Sequence, residues 1–205
     1  MPNQTTAQRT WARPGLISAA LVVAMVTSTV GAARAAGPEF LPVQDLPNDP
    51  TWVAGPIQIG EPDPEEFCVG HVIMEAGTRH RSYQTDLDTF ARQHIMRATT
   101  DQAAARLQHR LDRAVRGCAD AYEEEYPGSI ATFKHYGRQE IGDSVAVFGV
   151  FVEDDFGALS ANLFAVGRDG TAVTAVRYGR IGREADVPVR AFERTARRAV
   201  DHLRL

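Results

Sequence analysis

The groups in this chain with chemistry to offer are two cysteines, six histidines, two short acid runs and one serine in a Gly-Asp-Ser turn. Gly142-Asp143-Ser144 looks like the opening of a secreted esterase motif. A nucleophile elbow, however, places its serine after a strand and before a helix. Ser144 instead precedes the strand-like run Val145 to Val152, and no Gly-x-Ser-x-Gly occurs, so the segment reads as a tight turn. His71, His80, His94, His109, His135 and His202 are scattered, and no two have the helical spacing that holds a metal. His80 and His94 are placed to meet across a hairpin, but solvated polar positions are the simpler expectation. Glu123 to Glu125 and Glu153 to Asp155 lack the spacing of a calcium loop and read as solvated element ends. The expectation is therefore no catalytic residue, no metal site and no cofactor.

Cys68 and Cys118 are the only cysteines. A Cys-x-x-Cys redox pair is absent, and an even pair in an exported chain usually closes, so a structural disulfide is expected. Export itself is read from residues 1–35. Arg9 and Arg13 precede an apolar stretch from Leu16 to Val30, and Ala33-Arg34-Ala35 supplies the small residues of a cleavage site. The apolar stretch contains Ser18, Thr27, Ser28 and Thr29 and is too short for a span, so no stable membrane span is expected after cleavage. No cysteine near that site invites a lipid anchor. The full chain has 22 basic and 26 acidic residues. Removing Arg9, Arg13 and Arg34 leaves 19 against 26, a net charge near −7. That balance argues against nucleic acid as a partner, since binding it needs a basic surface.

For ligand recognition the candidates are Tyr83, Tyr136, Tyr178 and Arg177, with Arg81 and Arg138 near them in sequence. Tyrosine and arginine combine flat contact area with polar ends, which suits a cleft.

The elements that must position these residues follow from periodicity. Residues 36–66 carry Pro38, Pro42, Pro47, Pro50, Pro56, Pro62 and Pro64 and read as an extended Pro-rich arm, with Trp52 as its packing anchor. Residues 67–205 form the domain. His71 to Glu75 reads as a short strand, and Ser82 to Asp88 and Phe90 to Ala98 as two more. Thr100 can cap a helix in which Ala104, Leu107, Leu111, Val115, Cys118 and Tyr122 recur at spacings of three or four. Four strand-like runs follow: Ile130 to Gln139, Ser144 to Glu153, Leu159 to Arg168 and Thr171 to Gly179. Asp169-Gly170 marks a hairpin between the last two. Beyond Pro188, a final helix shows Phe192, Ala196, Ala199 and Leu203 on one stripe. The predicted class is α+β: a mostly antiparallel sheet with two main helices packed on one face and one disulfide.

The cysteine at the domain entrance, the helix Gln102 to Tyr122 carrying Cys118, and Gly142-Asp143 before a strand form a recognisable layout. With Phe164 to Gly170, Val173 to Arg177 and the terminal helix Val189 to Leu203, that layout resembles the actinobacterial secreted sensor-domain family, typified by the extracellular sensor domain of the kinase PknH. The resemblance spans about residues 65–205 and implies a ligand-binding module without catalysis. It brings no site residue with it. This chain departs from the kinase in having no kinase domain and one cysteine pair rather than two.

The reading is thus a secreted, extracellular, non-enzymatic sensor-like domain that binds a small molecule, glycan or protein. One alternative is an extracellular hydrolase, which requires a nucleophile within reach of a histidine and an acid. Another is a protein-interaction or inhibitor module using a sheet edge or the Pro-rich arm.

Overall fold

A computed structural model describes residues 38–47, 51–73 and 78–204 of the 205-residue chain. The predicted export segment, residues 1–35, lies outside the described residues. Seven strands form one antiparallel sheet: β1 (Val53–Ile59), β2 (Thr78–Gln84), β3 (Thr89–Arg97), β4 (Ile130–Gln139), β5 (Ser144–Glu153), β6 (Leu159–Asp169) and β7 (Ala172–Ile181). Their order is β1-β2-β3-β7-β6-β5-β4. Helix α1 (Asp101–Glu125) carries the chain from β3 to the far edge at β4, and three hairpin connections then bring it back to pair β7 with β3. Helix α2 (Val189–Asp201) closes the domain.

The capping of α1 is as its sequence demands. The Thr100 hydroxyl accepts the Ala103 amide at 3.1 Å, and Ala104, Leu107, Leu111, Val115 and Cys118 form the buried stripe. Cys118 is bonded to Cys68, with the two Cα atoms 5.2 Å apart.

The α+β class, the antiparallel sheet and the disulfide stand, but the helices do not share a face. Val145, Val147 and Phe151 of β5 pack with Phe192, Ala196, Ala199 and Val200 of α2. Ala146, Phe148, Val150 and Val152, which alternate with them, pack with Leu107, Leu111 and Val115 of α1. The reason lies in composition: β5 is apolar on both sides of its pleat, so each face of the sheet centre needs its own helix.

The first strand also differs from expectation. Gly70–Val72 is a single 3-10 turn where a strand was expected to begin, and residues 74 and 75 of that expected strand lie outside the described residues. The first strand comes earlier, inside the Pro-rich segment. β1 accepts Pro56 because it is an edge strand whose register shifts between Ala54 and Ile57, so the missing N–H breaks no regular ladder. Upstream of β1, Leu41, Leu46 and Trp52 are buried against Tyr83, Tyr178 and Phe192. The Trp52 indole donates to the Pro47 carbonyl at 2.8 Å, and its ring meets Tyr178 edge-on at 6.3 Å. Three further hydrogen bonds hold this segment: Leu41 N to Gln93 Oε1 at 2.8 Å, Tyr83 Oη to the Leu41 carbonyl at 2.8 Å, and Thr195 Oγ1 to the Asp45 carbonyl at 2.6 Å.

Candidate functional site

Helix α1 covers β4 to β7, which leaves the same face of β2 and β3 to be covered by the strap from Gly60 to Ile73. On that face, antiparallel register places His80 opposite His94, Ser82 opposite Arg92, and Arg92 opposite Arg177. Side chains on one strand face recur every second residue, so these polar groups share a single surface. The strap drops Glu66 onto it.

Glu66 is 3% exposed. Its Oε2 accepts Arg92 Nη1 at 2.9 Å and His94 Nε2 at 3.1 Å, while Oε1 accepts Arg177 Nη1 at 3.0 Å. Arg177 also donates to Asn162 Oδ1 from Nε and Nη2, at 3.0 and 2.8 Å, and lies between the rings of Phe67 and Phe90. Burial alone would raise the Glu66 carboxyl, but the His94 hydrogen bond and the charges of Arg177, His94 and Arg92 outweigh it and hold the carboxyl down to about 2. Burial lowers both the Arg177 guanidinium and the His80 imidazole. His80 and His94 do meet across the hairpin, with ring centroids 5.7 Å apart. Both are buried rather than solvated, at 4% and 1% exposure, because the strap covers them. The His94 Nδ1 has no hydrogen-bond partner among the described residues.

Two residues beyond Glu66, Cys68 takes a left-handed backbone (φ 66°) and bonds to α1. The strap is therefore anchored below to the sheet and sideways to the helix. Gly70 just after leaves room for the Glu65 side chain, which a Cβ there would meet at 2.0 Å and displace.

Strap and helix enclose a groove of about 580 Å³ running beside the disulfide. Phe67, Tyr122 and Tyr126 make its aromatic end, Glu65 and Glu125 flank them, and Gly117 lies in its wall. Tyr122 lies edge-on to Phe67 at 6.0 Å and 4.7 Å from the Tyr126 ring, which is half exposed. Flat rings beside carboxylates suit a ligand with an apolar face and hydrogen-bond donors at its edge.

The four residues chosen from sequence do not converge. Tyr83 and Tyr178 are buried on the α2 face, and Tyr83 is fully inaccessible. Tyr136 is half-buried on β4 and donates to Glu184 at 3.2 Å, with burial and that carboxylate pushing its phenol up to about 12. Arg177 lies on the opposite face, where it reaches the groove only through Glu66 and Phe67. Arg81 stacks on the Tyr83 ring, and Arg138 pairs with Asp112. Ser144 Oγ takes hydrogen bonds from Gln108 Nε2 at 3.0 Å and Arg138 Nη1 at 2.8 Å, both donors, so neither can accept its proton. Sequence reasoning missed Glu66 and Arg92, and it placed His94 across the hairpin from His80 but expected it to be solvated. The available signal was Arg92 and His94 two residues apart in β3 opposite Ser82 and His80 in β2, which put four polar groups on one face of a hairpin.

The class defined by fold and site is an α+β domain with a strapped groove. No family model matches the chain, and no curated protein matches it. Among solved structures it is similar to the extracellular domain of PknH from Mycobacterium tuberculosis, at 13% identity over 75% of this chain and 84% of that one, with a TM-score of 0.47. That likeness is distant and assigns no residue of this chain a role.

Proposed function

We propose that this chain is an extracellular, non-enzymatic, sensor-like binding domain whose ligand lies in the groove between α1 and the strap. The observation that carries the reading is the groove itself: recessed, aromatic at one end, and walled by a strap fixed at both Glu66 and Cys68. The closed disulfide supports an oxidising compartment. The donors around Ser144 weigh against the hydrolase alternative.

A second reading has one observation in its favour. β1 is a sheet edge, and Val53, Ile57 and Ile59 on it are 66%, 52% and 83% exposed, which suits a protein partner adding a strand. One experiment separates the two. Native mass spectrometry of the oxidised protein from its own host is expected to show a small extra mass that leaves on denaturation and is missing from Gly117→Leu, whose side chain would fill the groove. A clean mass in the wild type overturns the groove reading. A protein-sized adduct that persists in Gly117→Leu but is lost in Ile59→Lys establishes the edge-strand reading instead.

A further inference from the structure

The sheet face that α2 covers carries a recess of its own. Helix α2 packs on β5, β6 and β7, while Ile130 and Thr132 on the same face of the edge strand β4 remain exposed. Register sets Ile130 opposite Glu153 and Glu153 opposite Leu159, so a recess of about 200 Å³ crosses the ends of three strands. Ile130, Phe151 and Leu159 are its apolar lining, and Arg183 and Glu184 beyond β7 also border it. Pockets for drug-sized ligands begin at about 300 Å³, whereas a cavity of about 150 Å³ already takes up a benzene ring. The recess therefore suits one aromatic side chain.

The hairpin between β5 and β6 rises from the rim of this recess and displays such a side chain. Phe156 stands three residues from both Glu153 and Leu159, yet it is 90% exposed and does not line the recess. The turn holds it out. Asp154 Oδ1 accepts the Phe156 and Ala158 amides at 3.0 and 2.7 Å, and the Asp154 amide donates to the Ala158 carbonyl at 3.0 Å. Gly157, with a left-handed backbone (φ 82°), donates its amide to the Asp154 carbonyl at 2.9 Å. A fixed aromatic knob beside a recess of aromatic size is complementary to a second copy of itself, because a two-fold axis between them seats both knobs at once. Asp155, exposed next to Phe156, then approaches the exposed Arg183 of the other copy. The acids of the wall oppose this little: Glu184 is paired with Lys134 at 2.6 Å, and Glu153 is half-buried.

We propose that this face is a self-association surface on which two copies of the chain pair about a two-fold axis, each inserting Phe156 into the other's recess. It is independent of the ligand groove, which lies with α1 on the opposite side of the sheet. A different protein would have to supply both a matching knob and a matching recess, whereas a second copy brings the two together. A bilayer fits less well, because inserting Phe156 would strip water from Asp155 beside it.

The test is sedimentation velocity of the oxidised protein from its own host, from low to high micromolar concentration. One knob and one recess per copy make a small contact, so a dimer that dissociates on dilution is expected. Phe156→Ser removes the knob, and Thr132→Tyr fills the recess from its exposed wall. Each should weaken the dimer at least about tenfold. Leu87→Ser is the control: Leu87 is 74% exposed at the β2–β3 hairpin, away from this face, and its variant should dimerise as the wild type does. Circular dichroism and melting temperature check that each variant folds. A monomer at every concentration overturns the proposal, whether or not another protein or a lipid is found at Phe156. So does a dimer that survives either Phe156→Ser or Thr132→Tyr, or one weakened equally by Leu87→Ser. A dimer lost in Ile59→Lys places the contact on β1 and overturns it as well.

Discussion

Replacing Glu66 by glutamine tests whether the strap is held down by charge. The carboxyl is held at about 2, against an ordinary value of 4.5. At about 1.36 kcal/mol per pKa unit, that difference is worth on the order of 3 kcal/mol at neutral pH. The folded value is depressed, so the contribution is complete above the unfolded value and disappears as pH falls from about 4.5 to about 2. At pH 3 the same linkage leaves roughly 1.4 kcal/mol. Glutamine keeps the shape but strands the Arg92 and Arg177 guanidiniums in a buried site, a change that typically costs about 3–5 kcal/mol. Urea unfolding of the oxidised wild type and Glu66→Gln, measured from pH 7 to pH 2, should give a stability gap of about 3 kcal/mol or more that shrinks steadily below pH 4.5. Taking the difference between the two proteins cancels the titration of every other carboxylate. A gap that does not change with pH would mean the charge of Glu66 is not what holds the strap, and a gap below about 1 kcal/mol would mean the cluster contributes no more than a surface pair.

Gly117→Ala is expected to stabilise the protein. The position is exposed inside α1, and nothing lies within 4 Å of the added Cβ, so only the helix propensity changes, by about 1 kcal/mol. Thermal melting should move up by roughly 2–4 °C, and a lower melting temperature would contradict the open groove wall. The paired change Cys68→Ala/Cys118→Ala opens a loop of 50 residues and should cost about 4 kcal/mol in the chain-entropy treatment. Denaturant midpoints check it, and a loss below about 1 kcal/mol would mean that Glu66 alone retains the strap.

What the sequence makes legible here depends on how local each signal is. The α1 stripe from Ala104 to Cys118, the Thr100 cap and the Asp169-Gly170 hairpin are written within a few residues of one another, and they appear where the pattern puts them. The closing of Cys68 on Cys118 could be inferred because no other pairing exists. β1 was hidden by Pro56, which is harmless only at a sheet edge, and edge position is a fact of topology rather than of local pattern. The opposite placement of the helices was hidden in β5. Val145, Val147 and Phe151 form one apolar face and Ala146, Phe148, Val150 and Val152 another, so the strand itself calls for cover on both sides, but which helix covers which face is set by topology. Glu66 was the least accessible, since its partners lie 26, 28 and 111 residues away and bring two strands together beneath a strap.

The strap's two anchors bear on the groove binding proposed above. Glu66 fixes it to the sheet and Cys68 to the helix, and the single residue between them, Phe67, is a wall of the groove. Its ring touches Tyr122 on the groove side and covers the Arg177 guanidinium on the buried side, so it is restrained from both directions. A wall held this way needs little further ordering when a ligand arrives, and the ordering cost that usually consumes part of the contact energy is largely met in the free protein. Breaking either anchor should therefore weaken ligand binding even though neither Arg92 nor His94 lines the groove, because what is lost is the fixed position of Phe67.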